Sequence, residues 1–174
     1  MLRKISLSVE QRFEKWYIKP LYRLEHCIEE GDGAIAALMV AMPLYERYLA
    51  HELKNNDSLR PPFVQKELGF STLLESQLFW NVFRDGLCHR AHFFEESTKS
   101  TEKLGPLPKV SLHNDNPPFP VFGTDPESGK QAIYLNPWKF IAFILSKYEN
   151  NLPLKEKADA PLLPVWYIID DKIP

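Results

Sequence analysis

Between Phe79 and Phe94 the chain reads FWNVFRDGLCHRAHFF, an aromatic run interrupted by groups that can hold or move charge. On a helix turning ~100° per residue, Asn81, Arg84, Asp85, Cys88, His89 and His92 share an arc of roughly 140°, and Phe79, Phe83 and Leu87 fall opposite. An arginine offers a phosphate a planar, permanently charged fork, and a histidine titrating near pH ~6.5 can take or give a proton at working pH. RNA supplies its own nucleophile in the 2′-hydroxyl. Cleaving it requires a positioned phosphate, a base for that hydroxyl and an acid for the leaving 5′-oxygen, with no metal needed in principle. An arginine, a polar neighbour and a histidine suffice if two copies of the set meet.

Other chemistries compete for the same residues. Asp85, His89 and His92 stand at i, i+4 and i+7, so they could share one helical face as metal ligands, although no HExxH or cysteine pair accompanies them. Cys88 beside His89 could form a nucleophile and base, but adjacent helical residues point ~100° apart and do not easily meet. Plainer readings exist as well. Gly86 could follow a helix end, with Arg84 complementing the C-terminal dipole. His89 and His92 could be partly buried core histidines, and Asp85 with His89 a local pair.

The elements that position this segment follow from periodicity and turn chemistry. Residues 8–30 carry Val9, Phe13, Trp16, Tyr17, Leu21, Leu24 and Ile28 at helical spacing, with Pro20 expected to kink or divide the helix. GDG at Gly31 to Gly33 is a stop, after which Ala34 to Leu53 reads as a strongly apolar second helix packed antiparallel to the first. RPPFVQKELGF predicts a short helix with prolines in its first turn and an end at Gly69. Thr72 and Glu75 form a capping-box pattern that launches the helix bearing Arg84.

From Glu95 to Gly129 the composition turns to Pro, Ser, Asn and Asp, and residues 96–130 are expected to be a loop and β-hairpin insertion. The strand candidates are KVSLH (109–113), FPVFG (119–123) and KQAIYL (130–135), with DPESGK as a hairpin turn. Asn136 and Pro137 open a last helix from Trp138 to about Asn150, with Phe140, Ile141, Ile144, Leu145 and Tyr148 on its core face. Residues 151–174, ending in PLLPVWYIIDDKIP, are expected to form an extended C-terminal tail over the bundle or against a partner chain.

A chain of 174 residues supports one domain with a substantial core, and 44% hydrophobic with 25% charged residues excludes a disordered polymer. The net charge of −2 supplies no global attraction to a polyanion, so any nucleic-acid site must be local. Arg90, Lys99, Lys103 and Lys109 lie near the segment, offset by Glu95, Glu96 and Glu102. Cys27 and Cys88 read as buried thiols of a reducing compartment. The N-terminus lacks a secretory pattern, and the longest apolar run, Ala34 to Tyr45, is short of the ~20 residues that span a bilayer, so a cytoplasmic protein with no membrane association is expected.

RDGLCH, Arg84 to His89, resembles the signature of the HEPN (higher eukaryotes and prokaryotes nucleotide-binding) superfamily: Arg, a polar Asn, Asp or His, a short spacer and His. The aromatic flank looks like the RNGLxH form of bacterial members linked to defence and toxin–antitoxin systems. The resemblance covers roughly residues 8–95 and the last helix from Asn136, and leaves 96–130 outside it. It implies a mainly α fold, a four- to five-helix bundle that dimerises so that two Arg–His pairs share one cleft. In active members it implies metal-independent endoribonuclease activity with no cofactor, RNA as the partner and an antitoxin protein as another. Carried over residue by residue, Arg84 would bind the scissile phosphate, Asp85 would be the polar residue holding the site and His89 the acid–base residue. Asn81 and His92 come only from the helical wheel. The alternative from another class is a noncatalytic HEPN-like domain that binds RNA, a nucleotide or a protein.

Overall fold

The fold is that of a computed structural model, which describes residues 7–26, 33–88, 107–112 and 119–159. Ser8 opens the first helical run with a reciprocal cap: its hydroxyl accepts from the Gln11 N–H at 3.2 Å, and the Gln11 side chain accepts from the Ser8 N–H at 2.9 Å. The run comprises α1 (Val9–Phe13), a π-helical turn π1 (Glu14–Ile18) and α2 (Lys19–His26). The expected disturbance at Pro20 is therefore this wider turn. Proline has no N–H to donate and its ring crowds the carbonyl four residues back; just before it the ladder shifts, and the Lys19 N–H donates to the Glu14 carbonyl. Ile28 and Cys27 lie outside the described residues.

The longest helix, α3 (Gly33–Glu52), is the hub: α2, α6 (Pro137–Ser146), α7 (Leu152–Asp159) and the π-helical turn π2 (Asn81–Cys88) all pack on it. Small and large side chains alternate along its inner face, where Ala37, Leu38, Ala41, Met42, Tyr45 and Leu49 are buried. A Cβ at Gly33 would collide with the Leu24 carbonyl, so glycine lets the two helices touch backbone to backbone there. At the far end Phe13 stacks on Tyr148 with centroids 4.9 Å apart, and the Tyr148 hydroxyl donates to the Leu44 carbonyl at 2.6 Å. Leu24 against Gly33 at one end, and Phe13 linked to Leu44 through Tyr148 at the other, make the first run and α3 antiparallel, as the short GDG connection predicts.

The helix α4 (Arg60–Leu68) opens with Pro61 and Pro62 in its first turn and stops at Gly69, whose φ of 73° only glycine adopts without strain. Then α5 (Leu73–Trp80) starts on the Thr72–Glu75 capping box, as the pattern predicts. At the start of α6 the Asn136 side chain accepts from the Lys139 N–H at 2.9 Å; Phe140, Ile141 and Ile144 of the helix face the core with Leu145 half-buried, and Tyr148 is buried in the turn beyond it. The helix ends at Ser146, a turn earlier than its periodicity suggests.

Two expectations are corrected. Three strands, β1 (Lys109–Leu112), β2 (Val121–Thr124) and β3 (Gln131–Leu135), form a sheet in the order β1-β3-β2, larger than a hairpin. The DPESGK turn does make β2 and β3 antiparallel, with the Asp125 N–H donating to the Lys130 carbonyl at 2.8 Å. But β1 pairs parallel to β3, and the central strand buries Ala132 and places Ile133 and Leu135 in the main core. Phe122 also meets Phe70 edge-on at 5.5 Å, so this part of the chain is built into the domain. The second correction concerns residues 152–159, expected as extended tail and found as α7. Asn151 accepts from the Leu154 N–H at 3.1 Å and Pro153 sits in the first turn, a start signal obscured by the apolar residues that follow. Leu154 and Ala158 are buried, and Tyr17 donates to the Ala158 carbonyl at 3.1 Å. Residues 160–174 lie outside the described residues. Among those described, no helix is long and apolar enough to cross a membrane.

Candidate functional site around Arg84

The segment that carries Arg84 is anchored from behind by aromatic packing. Phe79, Phe83 and Leu87 are fully buried, with Phe79 5.5 Å from Phe70, 4.9 Å from Phe83 and 5.7 Å from Phe140 between ring centroids. Truncating such a ring costs about 3–5 kcal/mol, so the inner face fixes the segment's rotation. The outer face follows as its complement: Asn81, Arg84, Asp85 and Cys88 are half-buried while Val82, Phe83, Gly86 and Leu87 are covered. The expected polar arc is real over these residues.

Its backbone was not foreseen. From Asn81 the helix widens into π2, a π-helix, in which the characteristic N–H bond reaches one residue further back than in an α-helix. Such turns are rare and frequent at functional sites, because the extra residue rearranges which side chains share a face. Gly86 lies inside this turn and is buried, so it does not mark a helix end, and the end-cap explanation of Arg84 falls with it. His89 and His92 follow π2 and lie outside the described residues.

Arg84 is held by two carboxylates. Its Nε and Nη2 donate to Oε1 of Glu46 on α3 at 3.2 and 2.9 Å, and its Nη1 donates to Oδ1 of Asp85 at 2.7 Å. The three side chains keep 29%, 35% and 37% of their exposure, so solvent still reaches the cluster. Burial by itself would lower the Arg84 pKa, but the hydrogen bonds to Glu46 and Asp85 and their charges outweigh it and raise it, so the guanidinium is permanently charged. Among the described residues one cation faces two anions, and their pairing draws on each Arg84 nitrogen without using every N–H of the fork.

Cys88 completes the described arc. Its thiol donates to the Phe83 carbonyl, five residues back, at 3.4 Å. Burial, reinforced by the negative charge of Glu46, pushes the thiol up to about 11. It is therefore a neutral thiol at physiological pH, which counts against the nucleophilic-cysteine reading, whose base, His89, lies outside the described residues. As for a metal centre, among the described residues no three His, Cys, Asp or Glu side chains converge on one point.

Glu46 is the residue that the sequence pattern passed over. It stands 38 positions before Arg84 on a helix that reads as apolar, and only its place between Tyr45 and Arg47, directly after the longest apolar run, could have flagged it. Comparison with known proteins finds no matching family model, no matching characterised protein and no matching solved structure.

Proposed function

We propose that this chain is a HEPN-like endoribonuclease that cleaves RNA without a metal, using Arg84, Asp85 and His89 as a toxin or defence effector. The observation that carries the reading is the half-exposed Arg84–Asp85 pair on a π-helical turn, which the sequence follows with His89 at the spacing of the Arg-polar-x3-His motif. The Arg84 guanidinium binds a non-bridging phosphate oxygen through N–H groups left by its carboxylate bonds. Asp85 holds the fork in plane. His89 serves as the proton-transfer group: the 2′-oxygen loses its proton and attacks phosphorus, the bond to the 5′-oxygen breaks, and that oxygen is protonated. The products are a 2′,3′-cyclic phosphate and a 5′-hydroxyl. A homodimer that pairs two such sets supplies a base and an acid at once; an antitoxin protein would cover the same cleft. Asn81, at the entry to the turn, and His92 are supporting candidates.

One observation favours the second reading, a noncatalytic HEPN-like domain that binds RNA, a nucleotide or a protein. Glu46 and Asp85 together outweigh the charge of Arg84, which weakens the local attraction for phosphate.

The two separate in one assay. The purified protein is incubated in chelator with an RNA, the same sequence as DNA, and the RNA with its 2′-hydroxyls methylated. The nuclease reading expects only the unmodified RNA to be cut, and His89→Ala to lower the rate about 10²–10⁴-fold, the usual worth of a proton-transfer group. Equal cutting of DNA, or full activity in His89→Ala, overturns it.

A further inference from the structure

We infer that Glu46 is an internal competitor for the Arg84 guanidinium, a carboxylate that occupies part of the phosphate's place and sets how tightly RNA is held. The inference rests on the proposal that Arg84 binds the scissile phosphate. Asp85 is Arg84's neighbour in the chain, and such a pair needs no tertiary arrangement. Glu46 comes from another helix and lies across the interface of α3 with π2. It directs a single oxygen, Oε1, at both Nε and Nη2, along the edge of the fork that would otherwise take two oxygens of a phosphate side by side.

Such a contact is not required to neutralise a buried cation. Arg84 keeps 29% of its side-chain exposure and already has Asp85 at 2.7 Å, so among the described residues the second carboxylate adds a surplus negative charge. An incoming phosphodiester, itself an anion, meets that surplus. To pair with the Nε edge it must displace Glu46, and until it does the fork is held in one orientation. The arrangement lowers affinity for any stray phosphate and favours a substrate with enough further contacts to make up the difference.

The test is a binding measurement, so that cleavage does not intrude. A fluorescent, fully 2′-O-methylated RNA oligonucleotide is titrated with the parent, Glu46→Gln, Glu46→Met, Arg84→Gln and the double variant Arg84→Gln with Glu46→Gln. Glutamine and methionine match glutamate in length and helix preference, so both substitutions preserve α3. The expected result is RNA binding about threefold to tenfold tighter for Glu46→Gln, at least as tight for Glu46→Met, and shrinking with added salt as a screened charge effect must. In the double variant the gain disappears. Loss of structure would not tighten binding, so the sign separates this role from a merely structural one. If Arg84→Gln weakens binding while the Glu46 variants bind no tighter than the parent, the competitor role is overturned and the phosphate role of Arg84 stands. If Arg84→Gln binds as the parent does, or the parent binds no RNA, the phosphate reading fails and the inference with it.

Discussion

Two charged clusters lie on neighbouring sides of α3, and they are built in opposite ways. Tyr45 and Tyr48 face α4, where Glu67 accepts from their hydroxyls at 2.6 and 2.9 Å and pairs with Lys147 at 2.7 Å. Lys147 in turn lies over the rings of Phe143 and Tyr48, 4.2 and 5.1 Å from their centroids. This cluster is closed: one anion meets one cation, and the side chains of Glu67 and Lys147 keep only 12% and 22% of their exposure. Burial, with the glutamate's charge and hydrogen bonds, pushes the Tyr45 and Tyr48 hydroxyls above their ordinary range, so they remain donors. One position along, Glu46 turns toward π2 and enters a cluster that is open, charge-unbalanced and carried on an irregular backbone. A closed, balanced network ties helices together. An open, unbalanced one spends stability on something else, which is why the candidate site is placed at Arg84 and not at Glu67.

The sharpest way to break this contrast is through activity. Arg84→Ala removes the phosphate fork, and RNA cleavage in chelator is expected to fall about 10²–10³-fold, as for loss of a preorganised charge-stabilising donor. A smaller effect, on stability, is expected from the closed cluster. Glu67→Ala leaves two tyrosine hydroxyls and a mostly buried ammonium without their acceptor and should cost about 2–4 kcal/mol, lowering the thermal midpoint by roughly 5–15 °C. A near-silent Glu67→Ala in a melting experiment would show that the balanced network is not structural.

The smallest effect is a pH dependence at Cys88. Its thiol is raised to about 11, against ~8.5 in an unfolded chain, so the native state favours the protonated form. Its contribution to stability is therefore complete below ~8.5 and lost as pH climbs toward 11. Alkylation of Cys88 by iodoacetamide, followed by peptide mass spectrometry, should be slow at neutral pH and accelerate only as pH approaches 11. Rapid alkylation near neutrality would place an activated thiolate in the arc and reopen the cysteine chemistry.

The same contrast explains what could be read from the chain. Features written in a few adjacent residues were legible: the Thr72–Glu75 box, the prolines at the start of α4, Gly69, the Asn136–Pro137 start and the Asp125–Gly129 turn all lie where the patterns put them. Burial of Phe79, Phe83 and Leu87 opposite Arg84 and Asp85 was legible too, because a helical wheel carries that information. Features set by distant partners were not. The parallel pairing of Lys109–Leu112 with β3 joins segments that local propensity treats separately. The π-helical register of Asn81–Cys88 shifts the hydrogen bonds by one residue, a change that residue types hardly report. The Glu46 to Arg84 bond depends on how α3 crosses the later helix, which no local pattern encodes. Helix α7 had its start signal in Asn151 and Pro153, overshadowed by the apolar residues beyond it.

The most direct test of the account is to measure RNA cleavage rate and melting midpoint on the same preparations of the parent, Arg84→Ala and Glu67→Ala. The prediction is a crossed result: Arg84→Ala loses cleavage while its midpoint stays close to the parent's, and Glu67→Ala melts well below the parent yet cleaves at nearly the parental rate when assayed below its transition. An Arg84→Ala protein that still cleaves RNA at the parental rate would contradict the account.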